Sequence, residues 1–195
     1  NAHAASLTAF VQAGGTVVQL SQGDQVEQRV PFLPAGMVAE RCDDDLGPLL
    51  VRDPGHPLLS GLALTGTPRR LALSTYLNRP GSWESLSRFH GMRVLMCADP
   101  VNYRPILLEG AHGKGRFLIA SLYLDAIFDR GGRLVAPPDW GRAASAFFAG
   151  LHRYVGLVKA GRAPAVVPSQ PYRPGKPLPF VPGSVTLAVL RDTQN

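Results

Sequence analysis

Two apolar segments joined by a short glycine-rich stretch limit the folds that are open to this 195-residue chain. The segments are Ile106–Gly110 and Arg116–Leu122. Between them lies Ala111-His112-Gly113-Lys114-Gly115, whose glycines suit the tight connection of a β-hairpin. Because the second segment is almost continuously apolar, we expect a strand that is buried on both faces. A phosphate-binding P-loop is not expected here, because Lys114 is followed by Gly115 and a strand rather than by a helix.

A helix followed directly by a strand is predicted for the first twenty residues. Ser6 is placed to cap the helix, and the pair Gly14-Gly15 to end it, because glycine accepts the left-handed conformation found at helix ends. The β-branched stretch Thr16–Leu20 follows at once and is typical of a strand. This order is half of a βαβ unit, so we expect the first strand to lie before Asn1 and the sheet to be incomplete on that side.

A long second helix is indicated after residue 136. Pro137-Pro138-Asp139 is a start signal with Asp139 as the predicted N-cap, and Gly161 marks the end. Apolar side chains recur in between at three- and four-residue steps, which favours a packed face over a cofactor site. These side chains are Trp140, Ala144, Phe147, Leu151, Tyr154, Val155 and Val158.

The middle of the chain, residues 21–93, is rich in proline and glycine around short apolar runs. Leu49–Val51 and Leu71–Leu73 are two such runs, and we expect short strands and long loops there. A clearer strand is predicted at Val94–Ala98.

Three stretches between about residues 5 and 158 resemble the class I glutamine amidotransferase-like superfamily. They are Leu7–Val18, His56–Leu62 and Gly113–Leu122. The resemblance is closer to the non-amidotransferase branches that are attached to carbohydrate-active and other bacterial hydrolases. It implies an α/β fold with a flavodoxin-like, doubly wound sheet.

Active members of that superfamily carry a cysteine on a sharp turn after a strand, with a histidine and an acid downstream. At the corresponding place this chain has Ser21, without a Gly-x-Ser-x-Gly frame, while Asp125 and Asp129 stand alone. The resemblance therefore implies the fold without that chemistry, and we expect no catalytic residue and no cofactor within residues 1–159. The alternative is a hydrolase that acts on a carbohydrate-related substrate through Ser21 or a carboxylate.

The stretch Val185–Gln194 is similar to the first motif of calcineurin-like metallophosphoesterases. The resemblance implies that Asp192 and Gln194 are metal ligands, although Arg191 replaces the usual proline. In that family two divalent metal ions activate a water molecule for attack on a phosphate. The other ligands would lie beyond Asn195, and two ligands are too few for tight binding.

Three parts are predicted from these observations: an amidotransferase-like domain at 1–159, a linker at 160–183 and the opening strand of a metallophosphoesterase-like domain at 184–195. The linker holds seven prolines in 24 residues and should be extended. The leading hypothesis is a non-catalytic accessory domain of a larger bacterial-type hydrolase, with the rest of the parent chain as its partner. An open sheet edge would also favour self-association and low stability of the isolated piece.

The net charge of +6 is uneven along the chain. Residues 1–150 hold 14 Lys+Arg and 13 Asp+Glu, whereas residues 151–195 hold six and one. The six cations are spaced singly, which favours a solvated linker over a nucleic-acid interface. A nucleic-acid-binding tail remains the third hypothesis. The sequence has no apolar run of about 18 residues, so we expect no membrane-spanning helix.

Several single residues have both a structural and a functional interpretation. His56 precedes a proline, so a turn or cap is favoured over catalysis. The acidic run at 43–45 indicates a solvated loop more often than a cation site. Glu109 and Asp99 would suit paired carboxylates, but nothing in the sequence brings them together. Cys42 and Cys97 do not form a zinc motif, and a disulfide between them is left open.

Overall fold

A computed structural model describes residues 3–20, 29–42, 49–65, 70–71, 85–98, 104–122, 129, 131, 133 and 138–170. This part of the chain is a mixed α/β structure with two α-helices, nine strands and one 3-10 turn at Pro57–Leu59. In chain order the helices and strands are α1 (Ala4–Gln12), β1 (Thr16–Gln19), β2 (Val38–Cys42), β3 (Leu50–Val51), β4 (Leu64–Thr65), β5 (Arg70–Leu71), β6 (Ser85–His90), β7 (Arg93–Cys97), β8 (Pro105–His112), β9 (Gly115–Ala120) and α2 (Pro138–Lys159).

Seven of these strands form one sheet in the order β1-β9-β8-β7-β3-β5-β4, and β2 pairs with β6 in a separate two-stranded sheet. Within the described strands, β1 and β9 form the parallel pair, and every other pairing in the large sheet is antiparallel. The sheet is therefore mixed. Neither described helix is long and apolar enough to cross a bilayer.

Strand β9 lies inside the core, as its apolar sequence predicts. Phe117 and Ile119 point to one face, where they pack in the cluster that contains Val11 of α1. Leu118 and Ala120 point to the other face, where the cluster contains side chains of α2. Helices α1 and α2 thus cover opposite faces of the sheet, and the predicted burial of β9 on both faces is confirmed.

The predicted hairpin is also confirmed. Strands β8 and β9 pair from Leu107 with Ala120 to His112 with Gly115, and Gly113 and Lys114 form the turn between them. Gly113 has φ +57°, a left-handed conformation that glycine adopts without strain. A Cβ atom at Gly115 would lie 2.1 Å from the carbonyl oxygen of Gly15, so the start of β9 depends on the absence of a side chain.

The helix boundaries differ slightly from the predicted ones. Helix α1 begins at Ala4 after His3, because Leu7 N already donates to His3 O at 3.0 Å, so the prediction of Ser6 as N-cap is wrong. Gly14 has φ +114° and follows the last turn of α1, as expected. Helix α2 begins at Pro138, which places Asp139 in the first turn rather than at the cap. Proline suits that first position, since it lacks the N–H that would go unbonded there.

Residues 160–170, which follow α2, run along the protein surface and are held by hydrogen bonds. Arg116 Nη2 donates to Pro164 O at 3.2 Å. Ser169 is bonded twice to the start of β7: its N–H donates to Met92 O at 2.9 Å, and its hydroxyl accepts from Val94 N at 2.9 Å. The described beginning of the predicted linker, residues 160–170, therefore lies against the sheet. The predicted strand at 184–190 lies outside the described residues.

Candidate functional site

Four polar side chains from four parts of the chain meet beneath α2. They are His56 before the 3-10 turn, Glu109 on β8, Arg116 on β9 and Tyr154 on α2. His56 is 1% exposed, Glu109 and Tyr154 are 0% exposed, and the Arg116 side chain is 11% exposed. We refer to these four residues as the Glu109 cluster.

The position of His56 follows from its local sequence. Pro57 opens the 3-10 turn, and the Nδ1 atom of His56 accepts a hydrogen bond from Leu58 N at 3.3 Å. The predicted cap role is therefore confirmed. Because Nδ1 is an acceptor in this contact, a neutral imidazole carries its proton on Nε2. That atom lies 3.4 Å from Glu109 Oε2.

Glu109 is placed on the α2 side of the sheet because it lies opposite Leu118 in the β8–β9 ladder. The Tyr154 hydroxyl donates to its Oε1 atom. Arg116 Nε lies 3.5 Å from the same oxygen. The contacts from Arg116 and His56 are longer than ordinary hydrogen bonds, so they act through charge and dipole more than through directed bonding.

A buried carboxylate is unfavourable unless donors and positive charge surround it. Glu109 is the one acidic residue buried among the described residues; the Tyr154 hydroxyl donates to it and the Arg116 charge lies nearby, while its Oε2 atom has no partner at hydrogen-bond distance. Arg116 is fixed in turn, because Nη1 donates to Gly115 O at 2.9 Å and Nη2 to Pro164 O. The rings of His56 and Tyr154 pack against each other in a tilted arrangement, with 4.8 Å between centroids and 53° between planes. The cluster therefore ties the sheet, the 3-10 turn and α2 together.

Chemically, the Glu109 cluster contains groups that serve as acids and bases in enzymes. In this arrangement the imidazole, the carboxylate and the phenol are enclosed by protein, with exposures of 1%, 0% and 0%. General acid–base catalysis requires such a group within about 3 Å of the substrate. In the described structure these three groups lie beneath α2 with almost no surface open to solvent.

The other candidate residues do not join this cluster. Asp129 Oδ1 accepts from Gly131 N and Arg133 N at 2.8 Å each, which makes Asp129 the cap of its own loop. Within the described ranges, no three His, Cys, Asp or Glu side chains are grouped for metal binding. Cys97 is buried on β7. The remaining candidates lie outside the described residues, or their side chains do: Ser21, Cys42, Asp43–Asp45, Asp99, Asp125, Asp192 and Gln194.

The partners of Glu109 are missed by the sequence pattern. Glu109 appears there as a single acid in an apolar strand, and Tyr154 as one member of an apolar helix stripe. The one signal of this site in the sequence is Glu109 itself, because a carboxylate inside a buried strand requires hydrogen-bond donors from elsewhere in the fold. That requirement does not indicate which residues supply them.

Comparisons with known proteins assign no family to the chain. No family model matches it, and no curated protein matches it. Among solved structures, a β-galactosidase from Rahnella sp. R3 is similar over 79% of this chain, with 17% sequence identity and a TM-score of 0.43. The matched part is 21% of that chain, so this chain spans about a fifth of its length. At this TM-score no common fold is assigned.

Proposed function

We propose that this chain is a non-catalytic, amidotransferase-like accessory domain of a larger metal-dependent phosphoesterase. Its proposed role is packing, substrate positioning or assembly beside the hydrolase. The main support for this proposal is that the Glu109 cluster is buried beneath α2. The groups of the described chain that resemble a catalytic set are engaged with one another under α2, which favours a structural role for them.

The flavodoxin-like, doubly wound core is part of the proposal. Two features support it: the parallel pairing of β1 with β9, and the placement of α1 and α2 on opposite faces of the sheet. Parallel strands with helices on both faces are the basis of that architecture. The position after β1 supports the non-catalytic branch, because the sequence has Ser21 there in place of a cysteine.

The proposed metal ligands are Asp192 and Gln194, in the unit predicted at 184–195. A carboxylate and an amide oxygen suit hard divalent cations, so their chemistry fits. When bound, a divalent metal pair would activate a water molecule for attack on a phosphate ester. The two residues are an incomplete ligand set, and the proposal assigns the remainder to polypeptide beyond residue 195.

The test compares the 195-residue chain with the same chain extended by the polypeptide that follows it in its gene. Both are assayed for hydrolysis of bis-p-nitrophenyl phosphate and a p-nitrophenyl galactoside with Mn²⁺, Mg²⁺ or Zn²⁺. We expect no turnover by the shorter chain and metal-dependent phosphodiesterase activity of the longer one, lost in Asp192→Asn. Turnover by the shorter chain that is abolished in Ser21→Ala would instead establish the carbohydrate-related hydrolase. A longer chain without phosphodiesterase activity would contradict the proposal.

A further inference from the structure

A cleft of about 410 Å³ opens where the C-terminal ends of both helices meet the tip of the β8–β9 hairpin. Its walls carry three cationic side chains: Lys114 in the turn, Arg116 on β9 and Lys159 in the last turn of α2. Three glycines with positive φ also line the cleft: Gly14, Gly113 and Gly161. The volume lies within the range of about 300–1,000 Å³ that is typical of small-molecule sites.

The charge of this cleft is one-sided. None of its described lining residues is acidic. Lys114 and Lys159 are exposed, and neither forms an ion pair with another described residue. Arg116 shares its charge with Glu109 on the inner side. Two lysine side chains therefore line the cleft without a counter-charge from the described protein.

The helix ends reduce this positive potential without cancelling it. A helix C-terminus carries about half a negative charge on its unbonded carbonyl groups. Here those carbonyls are engaged: Gln12 O accepts from Lys114 N at 3.1 Å, and Leu157 O accepts from Arg162 N at 2.8 Å. With Glu109 and both helix ends counted, the three full positive charges still leave an excess.

Arg116 provides a fixed donor in the wall. A guanidinium has five N–H groups. One is directed to Gly115 O, one to Pro164 O, and the Nε atom faces Glu109. Two N–H groups remain, in a plane that these contacts hold in place. Planar, oriented donors of this kind match the oxygen atoms of phosphate and carboxylate groups.

We propose that this cleft binds a small anionic molecule through a phosphate or carboxylate group. Lys114 and Lys159 supply exposed charge, and Arg116 supplies oriented donors. Because the backbone N–H of Lys114 is used by Gln12, the side chains rather than a P-loop backbone hold the anion. The proposed binding site is independent of the proposed phosphoesterase and of its metal ions.

The test is a titration of the ¹⁵N-labelled 195-residue chain with inorganic phosphate and, separately, with acetate at low ionic strength. We expect saturable shifts of the amide resonances of Gly14, Gly113 and Gly161. Saturation by phosphate alone identifies a phosphate ligand, and saturation by acetate identifies a carboxylate ligand. Shifts that increase linearly for both anions, or that spread over all basic residues, would overturn the proposal.

Substitutions of single cations test which side chains contribute to anion binding. Lys114→Gln and Lys159→Gln are each expected to weaken phosphate or acetate binding by about two- to fivefold, as for exposed ion pairs. Arg142→Gln is the matched control, since Arg142 is an exposed cation on the same helix, 17 residues and about 25 Å from Lys159. Equal weakening in the Arg142 variant would show that only the overall charge matters, and would refute the site. Arg116 is left unchanged because it also supports Glu109.

Discussion

The hydroxyl of Tyr154 on α2 donates a hydrogen bond to Oε1 of Glu109 on β8, and neither residue has exposed surface. The two residues are 45 positions apart in the chain. Their contact fixes α2 both along and across the sheet, because a hydrogen bond is directional whereas apolar packing is not. The stability of the fold should therefore depend on this bond.

Removing the Tyr154 hydroxyl should destabilise the protein measurably. In Tyr154→Phe the buried carboxylate loses one donor while the ring packing is retained, so we expect a loss of about 1–3 kcal/mol in the free energy of unfolding. Urea denaturation followed by circular dichroism measures this change. His152→Ala, an exposed substitution on the same helix, is the control and should change the stability by less than about 0.5 kcal/mol.

A double-mutant cycle assigns the effect to the pair. With Glu109→Gln as the second substitution, the two changes should be non-additive by at least about 0.5 kcal/mol, because they remove the same interaction. Additive effects would show that Tyr154 and Glu109 stabilise the fold separately. In that case the hydrogen bond would not be what fixes α2.

Two glycines of α2 are expected to respond in opposite directions to the same substitution. A Cβ atom at Gly150 would lie 2.0 Å from Leu58 O, whereas nothing lies within 4 Å of one at Gly156. Gly150→Ala should therefore force α2 away from the 3-10 turn and destabilise the protein by about 1–3 kcal/mol. Gly156→Ala should stabilise it by about 0.5–1 kcal/mol through helix propensity. Thermal unfolding of both variants measures these changes in stability. A stabilising effect of Gly150→Ala would show that α2 is not closely packed at that position.

The β8–β9 hairpin was predictable because its signals are local. The glycines of its turn stand between two apolar runs, and the pairing joins neighbours in sequence. The pairing of β2 with β6 was not predictable, since it joins residues 38–42 with 85–90. A register shift between Glu40 and Arg41 also interrupts the alternation, so the buried residues Leu86 and Phe89 are three positions apart. The alternation of buried and exposed side chains at every second residue, which usually indicates a strand, is therefore absent from β6.

The Glu109 cluster shows a similar limit. His56 was predictable as a cap because its proline is adjacent, and Tyr154 as a buried residue because of the helical period. Their meeting at Glu109 depends on how α2 and the 3-10 turn lie on the sheet. That arrangement comes from tertiary packing, which sequence spacing does not encode.

The contact of Ser169 with β7 should anchor the segment that follows α2. In Ser169→Ala the Val94 N–H loses its acceptor, so the exchange of that amide with solvent should accelerate by about fivefold to tenfold, in line with one lost hydrogen bond. Hydrogen exchange monitored by NMR measures the rate. Ser145→Ala, an exposed serine of α2, should leave it unchanged. An unchanged rate in the Ser169 variant would mean that residues 160–170 do not protect β7.

Two arginine–glutamate pairs bridge neighbouring strands at almost equal distances but at different depths. Arg116 Nε lies 3.5 Å from Glu109 Oε1, with side-chain exposures of 11% and 0%. Arg88 Nη1 lies 3.4 Å from Glu40 Oε2, with exposures of 74% and 21%. Water and salt screen the second pair far more than the first. The two pairs therefore differ strongly in burial, and Arg116 in addition donates hydrogen bonds to Gly115 O and Pro164 O.

Arg116→Gln should destabilise the protein by about 3 kcal/mol or more, because it leaves the Glu109 carboxylate buried without its positive neighbour. Arg88→Gln should change the stability by less than about 1 kcal/mol, and 1 M NaCl should remove that difference. Urea denaturation at low and high salt measures both. The Arg116 effect should persist in salt, since the ions do not reach the enclosed carboxylate. Equal, salt-sensitive losses for both variants would mean that water enters beneath α2, and the Glu109 cluster would then be open to substrate rather than closed.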